Sequence, residues 1–297
     1  MEAGLLAAYI RPMSKEGKHH YVPVFYLKQW VSGDDRKLCE YTRPRALIQT
    51  KRIGPKSTGF VHGLYSIPGL PAEEAQYIEK KYMQKLDDKA ARALQAMLAQ
   101  SPGDISLAEE LTISWAAFLY SLILRSPEII TVMGIELERQ RAIFRSMSTD
   151  TASMTDAEGI RHTVTVKHRP RHAQEFLPGF IAGQVVRELV AMRWKTISTA
   201  STNHPMLTSD RPVIMTNGFA HPEGHVGIPI SPTMLFLATR PEGTYQTINA
   251  MSAEQLVISV NHNVSQHAID YVYGVDDREW LFVSMRLGMR VPSTPIG

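Results

Sequence analysis

Cysteine is almost absent from this chain of 297 residues, in which Cys39 is the only one. A single thiol excludes an intramolecular disulfide and a cysteine-rich zinc site, and it suits a reducing compartment. Long hydrophobic runs are missing too. The longest, Trp115–Leu124, is well short of the roughly 18 apolar residues that a membrane-spanning helix needs, and Leu5–Ile10 is too short for a signal-peptide core. We therefore expect a cytoplasmic protein with no membrane partner.

The signatures of several common enzyme classes are also missing. The sequence has no Gly-rich phosphate loop, no Gly-x-Ser-x-Gly elbow, no His-Glu-x-x-His motif and no dinucleotide fingerprint. These absences argue against P-loop NTPases, α/β-hydrolases, zincins and Rossmann oxidoreductases. Cys39 has basic neighbours but no identifiable base partner, so we do not predict a cysteine nucleophile.

Charge is small in total but uneven along the chain. The net charge is +3, yet residues 1–60 hold 11 Lys/Arg against 5 Asp/Glu, which gives +6. Residues 161–172 add four basic residues and no acid, so the remainder carries 3 − 6 − 4 = −7. Two basic segments that meet in space would suit a polyanion such as nucleic acid. A solvated basic surface is the alternative.

The pattern of apolar residues predicts an α+β fold, with a mostly antiparallel sheet packed against a central helical layer. The strands Leu38–Tyr41 and Ala46–Thr50 are expected to pair near the N-terminus. Capping boxes are predicted at Ser106-Leu107-Ala108-Glu109 and at Ser252-Ala253-Glu254-Gln255. Helices are expected over about 71–99, 107–125, 127–147 and 173–194, and short strands follow Trp194. We predict a flexible arm at 1–17 and a single domain at 18–290, with its helical layer at about 71–194 and its β-rich part at about 195–275.

Two compact motifs stand far apart in the sequence. The first is His-His-Tyr-Val-Pro-Val-Phe-Tyr-Leu-Lys-Gln-Trp at 19–30, and the second is Leu-Thr-Ser-Asp-Arg-Pro-Val at 207–213. Together with Trp194, Asn261 and the segment 268–272, they resemble the bacterial "domain of unknown function 4238" family over about residues 18–275. Arg211 stands where the family usually has a small residue or Asn. The resemblance implies an architecture but no established activity.

Three residues are predicted as catalytic: His20, Asp210 and Arg125. A neutral imidazole is the commonest base at neutral pH, and adjacent histidines in a strand face opposite sides, so at most one of the two is expected to face a site. We favour His20 over His19 because it directly precedes Tyr21-Val22-Pro23. Asp210 lies in a stiff loop, because the residue before Pro212 is held extended; an Asx turn is the structural alternative. Arg125 ends the most buried helix, where it can pair with the last carbonyls or reach a carboxylate or phosphate.

A second set is predicted to contact substrate, although a structural role is open for each of its members. Aromatic side chains of the first motif can anchor the chain or stack on bases, and polar residues near element ends can cap turns. The set consists of His19, Tyr26, His204, Asn261, Arg169 and Arg171.

Three functions compete. The first is a phosphodiester-cleaving, nuclease-like hydrolase acting on nucleic acid, with His20 as base or metal ligand, Asp210 as its orienter or a metal ligand, and Arg125 or the basic segment 161–172 on the phosphate. The second is a non-catalytic binding or sensor protein of a bacterial defence cassette. The third is a small-molecule enzyme with its pocket between sheet and helices. The cofactor is undetermined, with a divalent metal possible, and so is the oligomeric state.

Overall fold

The computed structural model describes residues 17–67, 70–147, 151–155, 161–165, 172–219, 221–240 and 242–289. The predicted arm at 1–17 lies outside the described residues except for Gly17. All strand pairings in the described part are antiparallel, and helices fill most of the middle of the chain, so the predicted α+β class is confirmed. The division into an arm and one domain stays a prediction.

The strands form two main sheets and two ribbons. The sheet orders are β10-β11-β12-β8-β5 and β3-β2-β13-β9, and the ribbons are β1-β4 and β6-β7. The strands are β1 (Lys18–His20), β2 (Leu38–Thr42), β3 (Gln49–Ile53), β4 (Phe60–His62), β5 (Gly103–Asp104), β6 (Thr151–Thr155), β7 (Arg161–Thr165), β8 (Arg193–Ser198), β9 (Thr208–Ser209), β10 (Ile214–Thr216), β11 (His225–Ser231), β12 (Met234–Thr239) and β13 (Tyr271–Gly274).

The helices fall into a central group and a C-terminal group. They are α1 (Val24–Leu27), α2 (Ala72–Ala75), α3 (Gln84–Leu98), α4 (Glu109–Leu124), α5 (Pro127–Met147), α6 (Leu177–Ile181), α7 (Gln184–Val190), α8 (Glu242–Asn249), α9 (Ala253–His267) and α10 (Trp280–Ser284). A π-helical stretch, Glu79–Met83, leads into α3. No single helix in the described ranges has the length and hydropathy of a membrane span; α4 and α5 reach them only as a pair bent by 72°.

Helix α4 is the centre of the larger core. It packs against α3 and α7 on one side and against the five-stranded sheet on the other. Trp115 of α4 lies 5.7 Å, centroid to centroid, from Phe236 of β12, which lies 5.3 Å from Trp194 of β8. Edge-to-face aromatic packing of this kind adds to the free energy of apolar burial. The prediction of a most-buried central helix is therefore confirmed.

The four-stranded sheet forms a smaller core with α9. Strand β13 is the link, because Val272 is paired with Tyr41 of β2 on one side and with Ser209 of β9 on the other. The capping box at Ser252 and Gln255 starts α9 as predicted. This sheet brings the second motif, through β9, beside the N-terminal strands.

The other predicted capping box is wrong. Helix α4 begins at Glu109 with Ala108 at the N-cap position, and no side chain caps it. The reason is that Ser106 is already bonded in a loop. Its backbone N–H donates to Gln100 Oε1 at 3.0 Å, and its carbonyl accepts from Gln100 Nε2 at 2.9 Å.

Candidate functional site

The two adjacent histidines of β1 face opposite sides, as the strand geometry predicts. His19 is 1% exposed and faces inward. Its Nδ1 accepts a hydrogen bond from the backbone N–H of Tyr65 at 2.9 Å, and its Nε2 lies 3.0 Å from Gln76 Oε1. The ring also stacks on Tyr65 at a centroid distance of 5.4 Å. With both nitrogens bonded inside the protein, His19 is a structural residue, and its predicted contact with substrate is not supported.

His20 is different, because its Nε2 atom is buried and has no hydrogen-bond partner in the part of the chain that the structure describes. Burial lowers the pKa of His20; a hydrogen bond to the backbone of Lys56 opposes this shift, while the charges of Lys18 and Arg125 add to it. The imidazole is therefore neutral at pH 7. A backbone carbonyl commonly fixes the tautomer of a catalytic histidine, so Lys56 is placed for the orienting role that the sequence analysis gave to Asp210.

Arg125 is far from His20 in the sequence, but the fold brings both residues to Tyr65. The Tyr65 hydroxyl lies 3.4 Å from both the His20 and the Arg125 carbonyl oxygens and donates toward them. The Arg125 side chain is completely buried, and its Nη1 donates to Asp87 Oδ1 at 2.9 Å. Its Nε and Nη2 atoms have no hydrogen-bond partner among the described residues. Two of the three predicted catalytic residues thus share one neighbourhood.

The unpartnered nitrogens of Arg125 form the edge of a guanidinium plane that accepts a carboxylate or phosphate in bidentate fashion. The face of the same group lies 5.3 Å from the centroid of the Phe118 ring. Buried donors without partners are rare in folded proteins, because each carries a desolvation penalty. This edge is therefore the strongest sign of a ligand in the described part of the chain. We name His20, Tyr65, Arg125, Asp87 and Glu79 the buried centre.

Two acids of the buried centre were missed by the sequence analysis. Burial raises the pKa of Asp87 although Arg125 opposes the shift, and burial raises the pKa of Glu79 to about 7. Asp87 precedes Asp88 and Lys89 on a helix, where a charged run normally indicates a solvated face. No sequence signal marks Glu79, because Ile78, Tyr82 and Leu86 keep the spacing of four that an ordinary α-helix has.

Asp210 directly follows β9, and its carboxylate is bonded to the backbone and not to His20. It is 5% exposed, and its carboxylate accepts three backbone N–H bonds, from Ile269 at 3.0 Å, Asp270 at 2.6 Å and Tyr271 at 3.1 Å. Its own N–H donates to the Tyr271 carbonyl at 3.0 Å. The predicted His20–Asp210 pair is therefore not formed, because backbone amides occupy both oxygens. Asp210 clamps the start of β13 to the second motif.

The first motif does approach Asp210, but through Tyr21. The buried Tyr21 ring has a pKa raised by burial, and the charges of Tyr273 and Asp210 add to the shift. The first motif and the second motif are thus neighbours in space, as predicted, while the specific histidine–aspartate contact is absent.

The remaining predicted substrate contacts have structural or surface positions. Asn261 is buried; its Oδ1 accepts from Leu207 N–H at 2.7 Å, and its Nδ2 donates to the Pro205 carbonyl at 3.1 Å. His204 lies in an exposed loop, with Nδ1 3.2 Å from Glu279 Oε1. Arg169 and Arg171 lie outside the described residues. None of the described members joins the buried centre.

Tyr26 is also structural, and a conservative change tests this. Its hydroxyl donates to the Pro229 carbonyl at 2.8 Å and lies 2.7 Å from Thr208 Oγ1, in a completely buried position. We expect Tyr26→Phe to lower the free energy of unfolding by about 1–3 kcal/mol, because it strands two buried polar groups. Urea denaturation measures the loss, and Tyr77→Phe, at a 57% exposed tyrosine, should stay within about 0.5 kcal/mol of wild type. Equal stabilities for both variants would contradict a structural role.

A cavity of about 250 Å³ lies beside the second motif. Its walls are mostly apolar and come from the α4–α5 turn, from the segment 211–215 and from His267. Arg211 at its edge lies 3.5 Å from Glu128, so its charge is partly neutralised. The turn that lines the cavity through Ser126 also carries Arg125, the preceding residue. Asp210 directly precedes the wall residue Arg211, and its three backbone hydrogen bonds hold this part of the chain in place.

The described residues contain no group of three or more His, Cys, Asp or Glu side chains that could hold a metal ion. The possible divalent metal therefore finds no donor set in that part of the chain. What the described residues do offer is a guanidinium edge with two unpartnered donors and, in the same neighbourhood, an imidazole with an unpartnered nitrogen.

Comparison with known proteins gives one family and no individual relative. The family described as "Protein of unknown function (DUF4238)" matches residues 18–278, a span that contains both motifs and every described residue of the buried centre. No curated protein and no solved structure matches the chain. Because the match covers most of its length, the chain belongs to the DUF4238 family, which is the family that the two motifs resemble.

Proposed function

We propose that this protein is a phosphodiester-cleaving, nuclease-like hydrolase with His20 and Arg125 at its reacting centre. The observation that carries the proposal is a set of three buried nitrogens that have no hydrogen-bond partner among the described residues: Nε2 of His20, and Nε and Nη2 of Arg125. A neutral imidazole with a free nitrogen is a general base. A free guanidinium edge binds two non-bridging phosphate oxygens. The Tyr65 hydroxyl near both backbones holds the two groups in one neighbourhood.

The chemistry follows from these two groups. A water molecule attacks phosphorus, and His20 Nε2 takes the proton that the water loses. Arg125 binds the non-bridging oxygens, on which negative charge accumulates in the transition state. Fixed donors in a site without bulk water stabilise that charge more than water does. The products are a phosphate monoester and an alcohol.

Nucleic acid is the proposed substrate because the surroundings of His20 are basic. Two lysines lie beside the His20 ring: the charge of Lys18 lowers the pKa of His20, and a hydrogen bond to the backbone of Lys56 raises it. Lys18 Nζ also lies 4.3 Å above the Phe60 ring, on the strand that pairs with β1. A cation and an aromatic ring side by side suit the backbone and base of a nucleic acid strand. The +6 charge of residues 1–60 favours the same substrate.

The test is cleavage of labelled single- and double-stranded RNA and DNA by wild type, His20→Gln and Arg125→Lys, in EDTA and in Mg²⁺ or Mn²⁺. We expect wild type to cleave at least one substrate in EDTA, since the described residues contain no group of three or more side chains that could hold a metal ion. We expect His20→Gln to lose at least about 100-fold in rate, which is typical for removal of a general base. His221→Gln, at an exposed histidine, is the matched control and should retain the wild-type rate.

Two results would overturn the proposal. The first is that wild type cleaves none of the four substrates, and the second is that His20→Gln cleaves as fast as wild type. Thermal melting of each variant separates loss of activity from loss of the fold.

A non-catalytic binding protein is the second candidate, and one observation favours it. The carboxylate of Asp210 is consumed by three backbone amides, so it does not assist His20. In that case short oligonucleotides or inorganic phosphate raise the melting temperature without being turned over. Arg125→Lys should reduce this shift, because a lysine lacks the bidentate edge.

A further inference from the structure

The cavity of about 250 Å³ beside the second motif has a buried floor and a polar mouth. Leu122, Ser126 and Ile129 of its walls are buried and form the floor at the α4–α5 turn. Ser126 is occupied as the cap of α5, since its Oγ accepts the Ile129 N–H at 3.4 Å. The mouth holds the partly exposed Arg211 and the exposed His267. Apolar walls with a few polar groups are typical of small-molecule sites, and here a ligand would enter with its apolar end first.

The volume of the cavity limits the size of the ligand. An apolar cavity of about 150 Å³ holds one benzene molecule, so a cavity of about 250 Å³ has room for one ring and a short polar arm. Branched side chains surround this space, with Val213 and Ile214 on the side of the sheet and Ile129 on the side of the helix. Met215, which is 42% exposed, adds a flexible thioether, and a thioether makes favourable contacts with aromatic rings. A compact apolar group no larger than a ring therefore fits the floor.

Arg211 brings a loosely paired positive charge to the mouth. Its Nη2 atom lies 3.5 Å from Glu128 Oε2, which is longer than the roughly 2.7–3.2 Å of a good N–H···O bond. The backbone of Arg211 is held more firmly, because its N–H donates to Ser209 Oγ at 3.2 Å. A guanidinium group binds a carboxylate through two parallel N–H···O bonds. The charge at the mouth therefore favours a ligand whose polar end is a carboxylate.

His267 does not provide a second positive group of this kind. Its Nδ1 atom lies 2.8 Å from the Asn263 carbonyl oxygen. A carbonyl oxygen can only accept a hydrogen bond, so Nδ1 carries the hydrogen, and Nε2 of the neutral ring is an acceptor. Among the described wall residues, Arg211 is thus the one whose charge selects a carboxylate.

Two acids oppose an anion at this mouth, and they set the affinity. Glu128 is the partner that a ligand carboxylate would displace from Arg211. Asp270 lies near the same pair: burial raises the pKa of Asp270, the charge of Glu128 adds to the shift and the charge of Arg211 opposes it. Removal of the Glu128 charge should therefore strengthen the binding of an anion, which gives the test a gain as well as a loss.

We propose that this cavity binds a small carboxylate that carries one compact apolar group, such as an aromatic ring. The apolar group lies on the floor beside Ile129, and the carboxylate pairs with Arg211. Ser126 of the floor follows Arg125 in the chain, so the cavity adjoins the buried centre. The proposal goes beyond the hydrolase function and does not require it, because its tests measure binding and not cleavage.

Phenylacetate is the probe; phenylacetamide is its neutral counterpart, and acetate is its counterpart without a ring. In isothermal titration calorimetry at pH 7.5 we expect a Kd below about 1 mM for phenylacetate and at least about tenfold weaker binding of the other two. Methyl NMR of the methionines locates the site. The Met215 signal should shift with phenylacetate, whereas the signal of Met285, an exposed methionine outside the walls of the cavity, should not.

Variants separate the charge from the apolar floor. Arg211→Met should weaken phenylacetate at least about tenfold and phenylacetamide less than about threefold, because only the carboxylate uses the guanidinium group. Glu128→Gln should strengthen phenylacetate about two- to fivefold, as expected for loss of a weak competing ion pair. Arg139→Met, at an exposed arginine of α5, is the matched control and should bind all three compounds as wild type does.

A cavity-filling variant tests the floor. Val213→Phe places a larger side chain in the wall and should abolish binding of phenylacetate and phenylacetamide alike. Thermal melting shows whether this variant is folded. Arg211→Met and Glu128→Gln change charge at partly exposed positions, so they keep the proposal testable if Val213→Phe does not fold.

Three results would overturn the proposal: a Kd of phenylacetate above about 1 mM, an unchanged Met215 signal, and equal affinity of wild type and Arg211→Met for phenylacetate. Equal binding of acetate and phenylacetate would also overturn it, since the site would then recognise a bare anion. None of these results affects the proposed hydrolase, and a protein that cleaves no nucleic acid leaves the cavity proposal standing.

Discussion

Asp210→Ala is expected to lower the free energy of unfolding by about 3–5 kcal/mol. The change removes the acceptor of three N–H groups at the start of β13, from Ile269, Asp270 and Tyr271. Each buried donor left without a partner costs about 1–3 kcal/mol, and neighbouring losses are not fully additive. Urea denaturation at pH 7 measures the loss.

The control and an isosteric variant sharpen the interpretation. Asp34→Ala, at an exposed aspartate, should stay within about 0.5 kcal/mol of wild type. Asp210→Asn keeps one carbonyl oxygen but turns an NH₂ group toward backbone donors, so we expect an intermediate loss. An Asp210→Ala protein as stable as the Asp34→Ala control would mean that the clamp contributes nothing, and Asp210 would return as a candidate for chemistry.

The pH dependence of the same variants identifies the dominant effect on Asp210. Burial raises its pKa to about 7, while the three amide donors act in the opposite direction. A carboxyl group whose pKa is higher in the folded than in the unfolded chain contributes stability that is lost as pH rises from about 4 to 7. The stability difference between wild type and Asp210→Asn should therefore shrink over this range. A difference that grows with pH would show that the amide donors outweigh burial.

Local signals in the sequence predicted local structure well. Ser252 and Gln255 start α9 as a capping box, and the Ile129 N–H donates to Ser126 Oγ at 3.4 Å at the start of α5, as the Ser126-Pro127 pair predicts. Each of these interactions joins residues three positions apart, so both partners can be recognised in one short stretch of sequence. The capping box predicted at Ser106 does not form, because the Gln100 side chain binds the Ser106 backbone. Rules for helix capping do not include such a loop partner.

The candidate site was predicted only in part, because the sequence does not show which groups its side chains bind. The sequence identifies His20 by its place in the first motif and Arg125 by its place at the end of an apolar helix, and the fold brings them together. Asp210 was assigned to His20 because its true partners are backbone N–H groups, which every residue possesses and no motif marks. Asp87 was missed because it stands next to the exposed Asp88 on the same helix, and the sequence alone does not say which of the two faces Arg125.

Asp87→Ala should have the second large effect, about 3–5 kcal/mol of lost stability. It leaves the fully buried Arg125 guanidinium without any partner among the described residues, and an uncompensated buried charge is strongly destabilising. Asp88→Ala, on the exposed side of the same helix, is the matched control and should cost at most about 0.5 kcal/mol. Urea denaturation of both variants gives the comparison.

The double variant Asp87→Ala/Arg125→Met should recover most of the loss, because an apolar side chain of similar length replaces the stranded charge. Arg125→Met alone should cost less than Asp87→Ala, since the carboxylate that it leaves behind is 23% exposed and can be hydrated. A double-mutant cycle over these variants yields the coupling free energy of the pair. Additive losses would mean that the two side chains act independently.

Phosphate connects this stability argument to the proposed function. Arg125 keeps two donors unpartnered at a cost to the fold, and a native protein retains such a cost where a ligand relieves it. Inorganic phosphate should therefore raise the melting temperature of wild type, raise that of Asp87→Ala more, and leave Asp87→Ala/Arg125→Met unchanged. The same shift in all three proteins would show that phosphate binds elsewhere. Arg125 would then have only a structural role, through its ion pair with Asp87.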